Sequence, residues 1–109
     1  MPDAAQQRFA ALAARFVGEP DVTAGTGFGK SPGLRTGGRI FAMLAHGRLV
    51  VKLPRDRVDA LVEAGAAERF DPGHGRLMKE WASVDAAGDD DWEGLAQEAR
   101  GFVRDDRPS

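Results

Sequence analysis

Residues 38–53, GRIFAMLAHGRLVVKL, decide the fold of this chain. The apolar run is broken at its middle by His46-Gly47, and the spacing predicts a two-residue hairpin turn there. The expected partners are Ala45 with Arg48, Leu44 with Leu49, Met43 with Val50, Ala42 with Val51, Phe41 with Lys52 and Ile40 with Leu53. Cross-strand partners share a face of the sheet. One face therefore collects Ile40, Ala42, Leu44, Leu49, Val51 and Leu53, with no polar atom in any side chain. The other collects Arg39, Phe41, Met43, Ala45, Arg48, Val50 and Lys52, a mixture of apolar bodies and cations. The first face is core, so Leu49 is expected to be buried and Val50 at most half buried.

Working outward, Asp3 and Gln6 form a capping-box pattern, and Ala5, Phe9, Leu12, Ala13 and Phe16 follow helical spacing. They predict a helix over about 4–17, ending near Gly18, with Pro20 barring its continuation. Short strands are expected near Val22 to Thr26 and Gly33 to Thr36. Pro54 opens a second helix, about 54–64, whose inner side is Val58, Leu61 and Val62 and whose stop is Gly65. Ala67 to Phe70 and Leu77 to Val84 read as strands around the loop FDPGHGR. Asp85 to Asp91 reads as an acidic linker. Asp90 and Glu93 suggest a capping box for a third helix, about 91–103, whose apolar positions are Trp92, Leu95, Ala96, Ala99, Phe102 and Val103. Residues 104–109 look frayed. The hairpin is antiparallel and the helices are too few for both sides of a sheet. The expected fold is a two-layer α+β domain spanning 1–109, with helices on one face of a mostly antiparallel sheet.

The totals narrow the function classes. At 109 residues and 42 % hydrophobic content the chain suits one modest core. No apolar run approaches the ~18 residues of a membrane span, and the first residues do not read as a signal peptide, so a cytoplasmic protein with no membrane partner is expected. The absence of cysteine excludes disulfides, thiol catalysis and thiolate metal sites. Net charge is −2 but uneven. Lys30 to Arg57 holds seven cations against the single acid Asp56, whereas Glu80 to Ser109 holds nine acids against three arginines. The two segments either complement each other within the domain or leave a patch for an anionic partner. The overall acidic balance disfavours nucleic acid.

The segment Gly33 to Val84 resembles the N-terminal domain of the TfoX/Sxy competence-regulator family and, more loosely, the MmcQ/YjbR family. The matching elements are Gly25-Thr26-Gly27-Phe28-Gly29 before GLRTGGRIFAML, then GRLVVKLP, a helix ending in Ala64-Gly65, the FDPGHGR turn and LMKEWASV. The resemblance implies a compact α+β domain. Its members are linked to competence regulation or DNA binding without an established enzymatic residue set, so no catalytic residue is carried over.

Three features invite a chemical reading. Ala24 to Ser31, AGTGFGKS, satisfies a relaxed phosphate-loop pattern, but Pro32 and Gly33 oppose the helix that would hold the phosphates. His74 lies near Asp71 and Arg76, a base-and-orienter pair that lacks a nucleophile, and His46 sits in the hairpin turn as a solvated residue. Neither histidine has the further ligands of a metal site. No catalytic residue, cofactor or metal is therefore expected. The outer hairpin face is the third feature: Arg39, Phe41, Met43, Arg48, Val50 and Lys52 form the candidate interaction surface. It suits bases stacked on Phe41 with cations at the phosphates, or a homodimer with a dry centre and an arginine rim, or cover from the first or third helix. The leading expectation is a non-enzymatic binding module acting through protein contacts or self-association. The alternative is a nucleic-acid-binding accessory protein, and the third an enzyme using His74.

Overall fold

A computed structural model describes residues 4–26, 32–45, 47–70, 78–85 and 91–105. The chain runs α1 (Ala4–Phe16), β1 (Val22–Thr26), β2 (Pro32–Thr36), β3 (Arg39–Ala45), β4 (Arg48–Lys52), α2 (Arg55–Glu63), β5 (Glu68–Phe70), β6 (Met78–Asp85) and α3 (Trp92–Asp105). The six strands form one sheet in the order β1-β2-β3-β4-β6-β5, and every pairing is antiparallel. This is the two-layer α+β architecture expected from the hairpin and helix patterns.

Local chemistry explains where the elements stop. Gly37 and Gly38 take φ of 59° and 84° between β2 and β3, and Gly47 takes 72° between β3 and β4. Two-residue hairpin turns that match strand twist need such left-handed residues. At the end of α2, Gly65 adopts φ 75°. Its N–H donates to Val62 O at 3.1 Å, and that of Ala66 to Leu61 O at 2.9 Å. Those two bonds complete a Schellman motif and satisfy carbonyls that the helix leaves open.

The start of α3 differs from the sequence expectation. Asp91 caps the helix: its Oδ1 accepts from the Gly94 N–H at 2.9 Å. Gly94 suits that role, because a Cβ there would collide with the Asp91 carboxylate. Asp3 and Asp90 lie outside the described residues.

All three helices pack on one side of the sheet. Ala5, Phe9, Leu12 and Phe16 of α1, Val58 and Leu61 of α2, and Trp92, Ala96, Ala99 and Val103 of α3 share a core with Ala42, Leu44, Leu49, Val51, Leu53, Ala82 and Val84. The expected pairs from Ala42↔Val51 to Ala45↔Arg48 are present. One residue further along β3 the expectation fails. Leu34 pairs with Ala42 but Arg35 pairs with Ile40, so Phe41 has no partner on β2 and forms a β-bulge. The extra residue reverses the alternation beyond it. Phe41 turns into the main core at 0 % exposure, with its ring centroid 5.6 Å from that of Phe16. Ile40 moves to the opposite side and is half-buried.

The opposite side is also covered. Met43, Ala45, Val50, Phe70 and Trp81 form a second apolar cluster, joined by Ile40. Met43 and Val50 are both 0 % exposed, which corrects the expectation of a half-buried Val50. Neither α1 nor α3 supplies the cover, since both belong to the first core. Trp81, directly opposite Lys52, and Phe70 on β5 belong to the same cluster.

Candidate interaction site

The six residues of the expected interaction surface do not act together. Phe41 lies on the helix side because of the bulge, and Met43 and Val50 are sealed in the second cluster. Only the cations reach the surface or its margin. Arg48 is tied down: its Nε donates to Ser83 Oγ at 2.8 Å and its Nη2 to Ser83 O at 3.1 Å, with Glu68 Oε2 3.1 Å away. Lys52 places Nζ 5.8 Å from the Trp81 ring centroid. Arg39 is exposed at the start of β3. Arg48 and Lys52 thus serve as tether and lid beside the second cluster, and the apolar centre that a dimer or a base would need is buried.

Part of the basic segment is answered within the fold. Arg57 Nε meets Glu98 Oε2 at 3.0 Å, an ion pair from α2 to the acidic last third, and Arg48 meets Glu68. A cleft of about 240 Å³ between α1 and α3 contains Arg8, Arg15, Trp92 and Glu93. Its charges are partnered too: Arg8 stacks 4.4 Å from the Trp92 ring centroid, and Arg15 lies 3.2 Å from Glu93. The Trp92 indole N–H is buried beside it without a hydrogen-bond partner among the described residues.

One polar cluster fastens the sheet to α3. Thr36 Oγ1 donates to Asp21 Oδ2 at 2.6 Å, while Arg100 grips both carboxylate oxygens, Nη2 to Oδ1 at 2.5 Å and Nε to Oδ2 at 3.2 Å. Glu19 stands 3.7 Å from the same guanidinium. The Arg100 bonds, then the Thr36 hydroxyl, hold the Asp21 carboxyl far below the usual carboxylate range. The cluster sets the start of β1.

That strand is one of the two edges of the sheet. Among the described residues β1 pairs with β2 alone, and Thr23, Ala24 and Gly25 are exposed. The Gly37 N–H bonds Asp21 O at 3.0 Å, extending the ladder one pair beyond Val22↔Thr36. Hydrogen-bonded pairs alternate in an antiparallel ladder. Thr23 and Gly25 therefore bond to β2, while the main-chain groups of Val22, Ala24 and Thr26 point away from it. Consistent with this, the Val22 N–H turns back to Glu19 O at 3.1 Å, and Pro32, which has no N–H, sits opposite Thr26. Beside the edge runs a mostly apolar groove of about 300 Å³, bordered by Phe9, Ala10 and Ala13 of α1 and by Ala24, Gly25 and Gly33 of the strands.

The sequence reading missed this edge. β1 was legible as a short strand, but its place at the end of the sheet depends on pairings no local pattern encodes. A usable signal was the lack of charge from Val22 to Phe28, since exposed edges are usually guarded by charges or proline. The other sequence candidates add nothing to the site. His46, His74 and residues 27–31 lie outside the described residues, and residues 32–36 continue as strand β2 where a phosphate loop would open a helix. No described helix is long and apolar enough to cross a membrane. Comparison of the chain with protein-family models, with curated proteins and with solved structures finds no match.

Proposed function

We propose that this chain is a non-enzymatic interaction module that works in the cytoplasm through protein contacts, self-association first among them. The observation that carries the reading is the uncharged β1 edge with its apolar groove alongside. Main-chain donors and acceptors on a sheet edge recruit another extended chain, and an adjoining apolar surface adds affinity. The resemblance to TfoX/Sxy N-terminal domains sits well with this, because it brings no catalytic residue set.

The nucleic-acid alternative needs Phe41 and Met43 as stacking platforms between cations. Both side chains are buried, and Arg48 is committed to Ser83 and Glu68, which weighs against it. Sedimentation at rising concentration tests the proposal. A mass moving from 11.7 kDa toward twice that value is expected, with no salt-dependent mobility shift of DNA or RNA. A chain that stays monomeric and shifts nucleic acid at low salt would replace the proposal with the alternative.

A further inference from the structure

Resting on that reading, we infer that the partner is a second copy of this chain, joined β1 to β1 in antiparallel register with Ala24 opposite Ala24. The two edges of the sheet are unlike. β5 has three residues, including Glu68 and Arg69, and both charges are engaged, Glu68 with Arg48 and Arg69 with Asp59. β1 has five residues, Val-Thr-Ala-Gly-Thr, with no charge. A head-to-tail contact of β1 on β5 would meet charges and a short ladder, and would leave open ends that polymerise. β1 on β1 places no like charge opposite another and closes by a two-fold axis, the commonest symmetry of small oligomers.

The ladder parity fixes the register. Ala24 directs both main-chain groups outward, so Ala24 opposite Ala24 of the second copy is a reciprocally bonded pair. Val22 O then accepts from the Thr26 N–H of the second copy at each end, giving about four main-chain bonds in all. The Val22 N–H, turned to Glu19 O, takes no part. Small residues at Ala24 and Gly25 let the strands approach, and the apolar grooves beside the two copies of β1 meet across the seam. The two sheets become one.

Three variants test the pairing by sedimentation, with circular dichroism as the fold check. Ala24→Pro removes the outward N–H without touching a β1–β2 bond, since proline is tolerated on an edge where the N–H faces solvent. It is expected to give a folded monomer at concentrations where the unaltered chain is dimeric. Ala24→Lys and Ala24→Asp keep the N–H but set like charges opposite each other. Each alone is expected to be monomeric, and an equimolar mixture to recover the dimer mass. The mixture decides the matter even if Ala24→Pro fails to fold. An unaltered chain that dimerises while all three variants remain dimeric overturns the β1 pairing and leaves self-association standing. An unaltered chain that is monomeric at every concentration overturns both.

Discussion

Phe41 and Asp21 show how single residues settle matters that a periodic pattern leaves open. The bulge moves Phe41 from the cation-bearing face into contact with Phe16, so its removal opens a cavity in the main core. Phe41→Ala is expected to cost about 3–5 kcal/mol in chemical denaturation, and Ile40→Ala distinctly less because Ile40 is only half-buried. The reverse order would restore the unbulged strand. At Asp21 the bonds from Arg100 and Thr36 lower the folded-state pKa. A carboxyl depressed on folding stabilises the native state fully above its unfolded pKa of about 4, and that contribution is lost as pH falls toward the folded value. Asp21→Asn should therefore reduce stability at neutral pH and flatten the acid limb of the stability profile below about pH 4. An unchanged acid limb would show that the Arg100 grip contributes nothing.

The elements were legible where punctuation is local. Pro54 and Gly65 bracket α2, Gly47 marks the hairpin, and helical spacing places Phe9, Leu12 and Phe16 inward, because caps, left-handed turns and amphipathic periods are written in neighbouring residues. The β3 bulge was not legible. It is defined by how β3 meets β2, and nothing in Arg-Ile-Phe-Ala-Met marks one residue as supernumerary. The covered second face was hidden for a related reason: Phe70 and Trp81 reach Val50 only because β6 lies between β4 and β5. That arrangement changes the outcome of a charge scan along β4. Leu49→Asp and Val50→Asp should both abolish cooperative unfolding, since each buries an unpaired carboxylate in a fully enclosed cluster. A folded, near-native Val50→Asp protein would mean that the second cluster is open to water.

At the scale of the molecule, one layer of helices covers one sheet face, the second face carries a buried cluster of its own, and the remaining asymmetry lies in the edges. β5 is short and charged, whereas β1 is longer, neutral and beside an apolar groove. The candidate surface read from the hairpin alone was displaced from face to edge because strand order is a property of the whole chain. The central claim is that β1 joins β1 of a second copy, and amide hydrogen exchange at Ala24 tests it most directly. Its N–H has no bond to β2, so in the monomer it should exchange at nearly the rate of an open chain, while Thr23 and Gly25 are protected by β2. Raising the protein concentration should slow exchange at Ala24 and Thr26 in step with the growth of the dimer and leave Gly25 little changed. An Ala24 amide that exchanges equally fast at every concentration, in a sample whose mass shows the dimer, would contradict the pairing.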